Sequence, residues 1–479
     1  MNPRPPRSMR KWALSILAVG ATAVLLWSLT RPPALPGTAP VGGLNTAPSN
    51  TVGQPSLLQS ALAKAQDAAS GLSGREGLGL PPTRMGAQDL QQVFPLVGRE
   101  EARLIEIYQL ISQTQHREAL EKAESLVRDH PNFQLANLVL GDLLSAQTRP
   151  VRQLGDVPDT KAIAALEQLA ILRDESRRRL LALTERPPEG SIPSQFLTLA
   201  SQSRHAIAID ASRSRLYLFE NTGAKASASA AAGDNPVANS LRLVGDYYIS
   251  VGQSGIEKLL EGDKRTPLGV YYITSNLNAA NLPDLYGVGA LPINYPNALD
   301  LQRGKTGSGI WLHGTPKEQF VRAPRASDGC VVLSNPDLQS LLARVQIRTT
   351  PVVIAAQLHW VKPETLDPDR QQFQQALEAW RSVKSQGDLT QLKGFYSERF
   401  NNQGQKLADW WPRMEGEVRG NGVRELQLKD LSLLNWRDKD DTMVVTFGEV
   451  AAGQSRGVTK RQYWMRESDQ WKIFYEGSI

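Results

Sequence analysis

The chain has a single cysteine, Cys330, and five histidines in 479 residues. An internal disulfide is therefore excluded, and no Cys/His cluster with metal-ligand spacing is available. No metal and no cofactor are expected. Charge of one sign is equally scarce: 54 Lys and Arg stand against 48 Asp and Glu, a formal +6 spread over the whole length. That balance provides no concentrated field for nucleic acid. A glycine-rich stretch, Gly252-Gln253-Ser254-Gly255, lacks the lysine-serine ending of a phosphate loop. Long apolar runs are missing too, apart from Trp12 to Leu29, which follows Arg4, Arg7, Arg10 and Lys11. Basic flank and apolar run together read as an export signal or a membrane span in the positive-inside orientation. The segment after it, Thr30-Arg31-Pro32-Pro33, offers no small-residue cleavage site, which favours an uncleaved anchor over residues 12–30 with a basic cytoplasmic N-terminus over 1–11. The remainder is then expected in the cell envelope, on the periplasmic side of the inner (cytoplasmic) membrane. A lone thiol exported there is an oxidation liability, so the retention of Cys330 calls for a reason.

A chain of this length predicts several folded units. Residues 31–95 are rich in Pro, Gly, Ala, Ser and Thr without hydrophobic period and read as a flexible linker. Residues 96–190 are helical by pattern: Ala102, Ile105, Tyr108 and Ile111, then Ala119, Ala123, Leu126 and Val127 up to Pro131, then Ala136, Leu140 and Leu143, with a further helix around Lys161 to Leu183. Glu118-Ala119-Leu120, His130-Pro131-Asn132-Phe133 and Gly141-Asp142 resemble a tetratricopeptide-type pair, although one repeat cannot bury its own face. It must pack on the following helix or on the next domain, and His130 reads as a loop residue. Residues 191–361 switch to short β-rich runs, Ala206–Ile209, Leu216–Phe219, Tyr247–Val251 and Val270–Ile273, with a helix near Asp337 to Val345. Residues 370–479 form a separate α+β unit. Phe373, Ala376, Leu377 and Trp380 mark its helix, and strands follow at Leu426–Leu428, Met443–Phe447, Lys460–Met465 and Trp471–Tyr475. Helix first and then a curved sheet resembles the nuclear-transport-factor-two-like cone. His359, Trp380, Trp410 and Trp411 are pocket candidates there, though aromatics in such positions usually form core.

The chemistry concentrates in Trp311-Leu312-His313-Gly314-Thr315-Pro316 and Ala326-Ser327-Asp328-Gly329-Cys330-Val331-Val332. His313 ends one apolar run and Cys330 begins another, so neighbouring strand ends would bring imidazole and thiol together. A histidine, a loop and then Ser/Thr-x-Gly-Cys resembles the L,D-transpeptidase signature. Upstream, Thr266-Pro267-Leu268-Gly269-Val270-Tyr271 is similar to that family's threonine-proline, glycine-x-tyrosine segment, and the resemblance runs from Arg204 to Ala355. It implies a mostly β catalytic domain acting on peptidoglycan stem peptides. It further implies that Cys330 is the nucleophile, His313 the base and later the acid, and the Gly314 carbonyl the group that orients the imidazole. The N–H groups of Gly329 and Cys330 would form the oxyanion hole, with Ser327 holding the turn. Family members attack the third stem residue, typically diaminopimelate at its L-centre, expel D-alanine and hold a thioester until an amine or water resolves it.

Two positions depart from the family pattern. Asp328 stands where His is frequent, and Val332 stands where Asn or Arg is frequent. An anionic Asp328 opposes thiolate formation unless it is hydrogen-bonded or turned away, and is otherwise suited to hold an incoming amine. The favoured expectation is a transpeptidase. A hydrolase of the same family, amidase or carboxypeptidase, is the alternative within the enzyme class, and a non-catalytic wall-binding scaffold the alternative outside it. Envelope proteins are candidate partners of the helical and C-terminal domains.

Overall fold

The computed structural model describes residues 96–479 except 152, 157–158, 224–240, 423 and 455. The anchor and linker expected over residues 12–95 lie outside the described residues. Among the described residues no helix is long and apolar enough to cross a membrane.

Helices α1 (Arg99–Ser112), α2 (His116–Asp129), α3 (Gln134–Ser145) and α4 (Asp159–Thr184) open the described chain. Leu104, Ile107 and Tyr108 of α1, Ala119, Ala123 and Leu126 of α2, and Leu135, Ala136 and Val139 of α3 share one core with Leu172 and Leu180 of α4. The periodicity marked a single apolar stripe on α1, yet Glu100, Glu101 and Glu106 are buried as well. Glu106 meets Lys122 of α2 and Glu100 meets Arg99 within the helical module, whereas for Glu101 the reason is a second neighbour. Val97 bridges to Asp246 of the following domain, and Glu101 receives the Arg215 guanidinium at 2.8 and 3.0 Å. Arg215 also donates to Asp246 at 2.6 Å, while Arg179 of α4 joins Glu101 at 3.0 Å and Glu175 at 2.9 Å. These side chains are almost fully buried, so each needs its partners.

The central domain stacks two sheets. One runs in the order Leu241–Tyr248, Arg215–Asn221, His205–Asp210, Pro351–Ala355, Gly269–Tyr272, and the other in the order Val331–Val332, Trp311–His313, Gly289–Pro292, Leu277–Asn278. Alternation sends Ile207, Ile209, Leu216, Leu218 and Tyr271 into the core between them, where they meet Leu312, Val331 and Leu291. The short helix α5 (Ala298–Gln302) follows the Gly289–Pro292 strand, and α6 (Asn335–Leu342) adds Leu338 and Leu341 to the same core. The Ser334 hydroxyl caps α6 by accepting the Asp337 N–H, and Pro336 occupies its first turn.

The opposite face of the first sheet, with Ala206, Ala208, Tyr217, Phe219, Val270 and Val353, packs on Leu434, Trp436, Val444, Tyr463, Met465 and Phe474 of the C-terminal sheet. A first sheet buried on both faces explains why its strands read as continuous apolar runs. The C-terminal unit has α7 (Asp367–Gln386), α8 (Leu389–Lys393) and α9 (Leu407–Asn421), which fill the other face of the C-terminal sheet with Phe373, Leu377, Trp380, Trp410, Trp411 and Met414. Of the pocket candidates, the three tryptophans are core and His359 is exposed. Strand Phe196–Thr198, which precedes the central domain, pairs antiparallel with Leu426–Arg437 at the edge of the C-terminal sheet. The sequence-based division put this strand with the catalytic domain. Three buried residues in a row carry no sign of which sheet they will join.

Candidate active site

Strands Trp311–His313 and Val331–Val332 are parallel neighbours, with Leu312 opposite Val331 and His313 opposite Val332. Leu312 and Val331 face the core. Alternation therefore puts His313, Val332 and Cys330 on the other face, with Cys330 two residues before the partner of His313. A spacing that is unremarkable in sequence becomes an adjacency in the sheet.

His313 is 3% exposed, and its Nδ1 lies 2.7 Å from the Gly314 carbonyl oxygen. A carbonyl only accepts, so Nδ1 carries the proton and Nε2 keeps the lone pair. Burial pushes the imidazole down to about 4, with the Gly314 bond opposing and the charge of Arg322 assisting. Burial pushes the Cys330 thiol up. The Trp311 N–H and the charges of Arg322 and Lys258 oppose that shift, and Asp328 adds to it. Both displacements favour the neutral pair at rest, with the proton on sulfur and the imidazole Nε2 unprotonated. The thiol is partly exposed, and Sγ lies 3.5 Å from the Gly309 carbonyl.

The turn before the thiol is tightly built. Ser327 Oγ accepts the Gly329 N–H at 3.1 Å and donates to the Cys330 carbonyl at 2.6 Å. Gly329 has φ +119°, and a Cβ there would lie 2.7 Å from the Arg265 carbonyl oxygen, so only glycine fits. Buried Thr266 ties the threonine-proline segment to this turn: its hydroxyl accepts the Gly252 N–H and donates to the Gly329 carbonyl, both at 2.9 Å. Asp328 points outward with its side chain 83% exposed. Gln253 Nε2 donates to it at 2.8 Å and Lys264 lies 3.9 Å away. Val332 is buried beside His313.

Three supporting residues lacked a sequence signal. The Tyr286 ring packs edge-on to His313 at 5.0 Å and tilted against Trp311 at 4.8 Å, and its carbonyl accepts the Gly314 N–H at 3.1 Å. Asn335, at the start of α6, accepts the Thr315 and Val288 N–H groups at 3.2 Å and donates to the Thr315 carbonyl at 2.9 Å. It thus locks the turn whose Gly314 carbonyl aims the imidazole. Arg322, on the connection between His313 and Cys330, places positive charge near both. Among the described residues no group of His, Cys, Asp and Glu is arranged to hold a metal ion. A cleft of about 560 Å³ lies elsewhere, between the central and C-terminal domains, and is lined by Tyr272, Asn294, Arg461 and Tyr475 but not by Cys330 or His313.

Residues 204–354 match the YkuD family model, described as the L,D-transpeptidase catalytic domain. The central domain is an L,D-transpeptidase catalytic domain. Residues 372–477 match the Cds6 C-terminal NTF2-like domain, so the cone that follows is NTF2-like. Similar solved structures include Bdellovibrio bacteriovorus Bd1075, at 23% identity and TM-score 0.48 over 60% of this chain and 98% of that one. The helical cell shape determining protein Pgp2 from Campylobacter jejuni is similar at 20% identity and TM-score 0.43, over 57% of this chain and 91% of that one. No curated protein matches the chain. An L,D-transpeptidase-family domain implies peptidoglycan as the substrate class and the cell envelope as the location.

Proposed function

We propose that the protein is an envelope L,D-transpeptidase that forms a thioester between Cys330 and a stem peptide and passes it to an amine. The observation that carries this reading is the pairing of strands that sets Cys330 and His313 on one face, with His313 Nδ1–H committed to the Gly314 carbonyl. In the first half-reaction Nε2 of His313 takes the thiol proton as sulfur attacks the carbonyl of the third stem residue. The tetrahedral intermediate then collapses, the departing amine of D-alanine takes that proton from the imidazolium, and the thioester remains. In the second half an acceptor amine attacks, His313 removes its proton, and the proton returns to sulfur as the thiol leaves. The Cys330 and Gly329 N–H groups serve the oxyanion. In the resting turn the Gly329 N–H serves Ser327 Oγ, so its contribution requires that bond to be shared. Exposed Asp328, with Gln253 and Lys264 beside it, holds the acceptor amine. Trp12 to Leu29 anchors the chain in the inner membrane, and residues 31–95 tether the enzyme within reach of the wall.

The test is mass spectrometry of peptidoglycan fragments incubated with the whole protein, wild type against Cys330→Ala. New cross-links or exchanged terminal residues, seen only with wild type, support transpeptidation. Shortened stems without new links make the protein a hydrolase, and unchanged fragments favour a wall-binding scaffold.

A further inference from the structure

The connection that carries Arg322 from His313 to Cys330 is gripped from outside the catalytic domain. Phe320 stacks on Phe133 with ring centroids 4.3 Å apart and lies 4.9 Å from His130. Asn132 donates from Nδ2 to the Lys317 carbonyl at 2.8 Å and accepts the Phe320 N–H at 3.3 Å. The Tyr248 hydroxyl donates to the Arg322 carbonyl at 3.1 Å, and the Val251 N–H donates to the Pro324 carbonyl at 3.0 Å. The backbone of Arg322 is held on both sides. Its side chain is not. The guanidinium makes one long bond, from Nη1 to the Ala326 carbonyl at 3.4 Å, and its Nε is buried without an acceptor. Arg215, Arg179 and Arg303 each meet carboxylates, but Arg322 forms no ion pair with any described residue. The residue as a whole is only part-buried, and a guanidinium without a counter-ion leaves its Nη donors suited to a planar anion brought by a ligand.

We propose that Arg322 binds a carboxylate of the stem peptide and so selects substrates with a free acid beside the scissile bond. This rests on the peptidoglycan reading above. Two carboxylates of such a substrate qualify: the terminal carboxylate of the expelled D-alanine, and the D-centre carboxylate of diaminopimelate. The helical module acts as the mount. Through Phe133 and Asn132 it fixes the arm from which the guanidinium reaches the site, which gives α1–α4 a part in substrate choice.

The experiment measures kcat/KM for release of the terminal D-alanine by the whole protein from three tetrapeptides: the free acid with diaminopimelate, its C-terminal amide, and the lysine analogue. Wild type is expected to prefer the free acid by about 10- to 100-fold over at least one of the others, the range of a charge-assisted pair. In Arg322→Gln that preference should collapse towards unity through a raised KM, and Arg322→Lys should keep part of it. Loss of discrimination against the amide assigns the D-alanine carboxylate, and loss against the lysine analogue assigns the diaminopimelate one. An Arg322→Gln protein that is slower on all three substrates by one factor keeps its discrimination, which overturns the proposal in favour of a purely electrostatic effect on the thiol. Wild-type activity without discrimination overturns it too and leaves the transpeptidase reading intact. A wild type inactive on every tetrapeptide overturns both.

Discussion

His313 is a weak base by burial and a well-aimed one by hydrogen bonding, and those two properties set the pH behaviour of the site. Because its folded pKa lies near 4, the imidazole stays neutral well below the ordinary histidine value of about 6.5. The acidic limb of the kcat/KM profile should therefore fall near pH 4 to 5, which a pH series of D-alanine release would measure. A limb near 6.5 would contradict the buried environment. The same shift has a stability consequence. The unfolded chain binds the proton more readily, so the stability that His313 contributes is complete above about pH 6.5 and is lost as pH falls towards 4, by up to ~3 kcal/mol. Denaturant melts of His313→Gln should lose that part of the pH slope. At Gly329, alanine would face both the positive φ and the Arg265 carbonyl. Gly329→Ala is expected to cost about 1–3 kcal/mol and to abolish turnover by shifting Cys330, read as a lower Tm together with slowed alkylation of the thiol.

The 316–322 connection behaves as a piece of two domains at once, since Phe320 belongs to the helical core while Thr315 Oγ1 donates to its carbonyl at 3.2 Å beside the His313 turn. Phe320→Ala removes a ring that is 7% exposed, and about 3–5 kcal/mol of stability should go with it. Activity should fall more than the fraction of folded protein does, because the arm holding Arg322 loses its mount. A matching fall of the two, measured by circular dichroism and turnover on the same sample, would show that Phe320 only stabilises. The strand Phe196–Thr198 is a similar shared piece. It precedes the catalytic domain in sequence yet closes the edge of the NTF2-like sheet, so element boundaries and domain boundaries do not coincide here.

Across the whole molecule the catalytic domain is clasped on two sides, by a buried ion network under the helices and by an apolar sheet-to-sheet layer under the cone. Removing Glu101 from the network leaves each remaining arginine with a single carboxylate, Asp246 for Arg215 and Glu175 for Arg179. Glu101→Ala leaves Arg215 and Arg179 short of an anion and should destabilise by about 3–5 kcal/mol, whereas Glu101→Gln, which keeps acceptor geometry, should lose less. Thermal melts would rank them. Ending the chain after Val361 would expose the face made by Ala206, Tyr217, Phe219 and Val353 and leave Phe196–Thr198 unpaired. We expect that product to aggregate, as size-exclusion chromatography would show, and activity assays should therefore keep both flanking domains.

Helix and strand identities were legible because each depends on local spacing: the stripes of α2 and α7, the β-rich runs at 206–209 and 216–219, and the apolar flanks of His313 and Cys330. The candidate nucleophile and base, Cys330 and His313, were legible for a further reason: a lone thiol and a histidine at a strand end could pair by chance, but the Ser327-x-Gly329-Cys330 turn and the upstream threonine-proline segment matched a family pattern. What depended on tertiary structure were the long-range matters. Tyr286 packs on His313 from an earlier segment, Asn335 folds back onto Thr315, and the connection carrying Arg322 is held by Asn132 and Phe133 of the helical module, while the protonation state of Cys330 and His313 follows from how deeply they are buried. Sequence spacing encodes which face a side chain takes along its own strand or helix. Which other segment meets that face is decided by the free energy of closing the whole core, and only folding settles it.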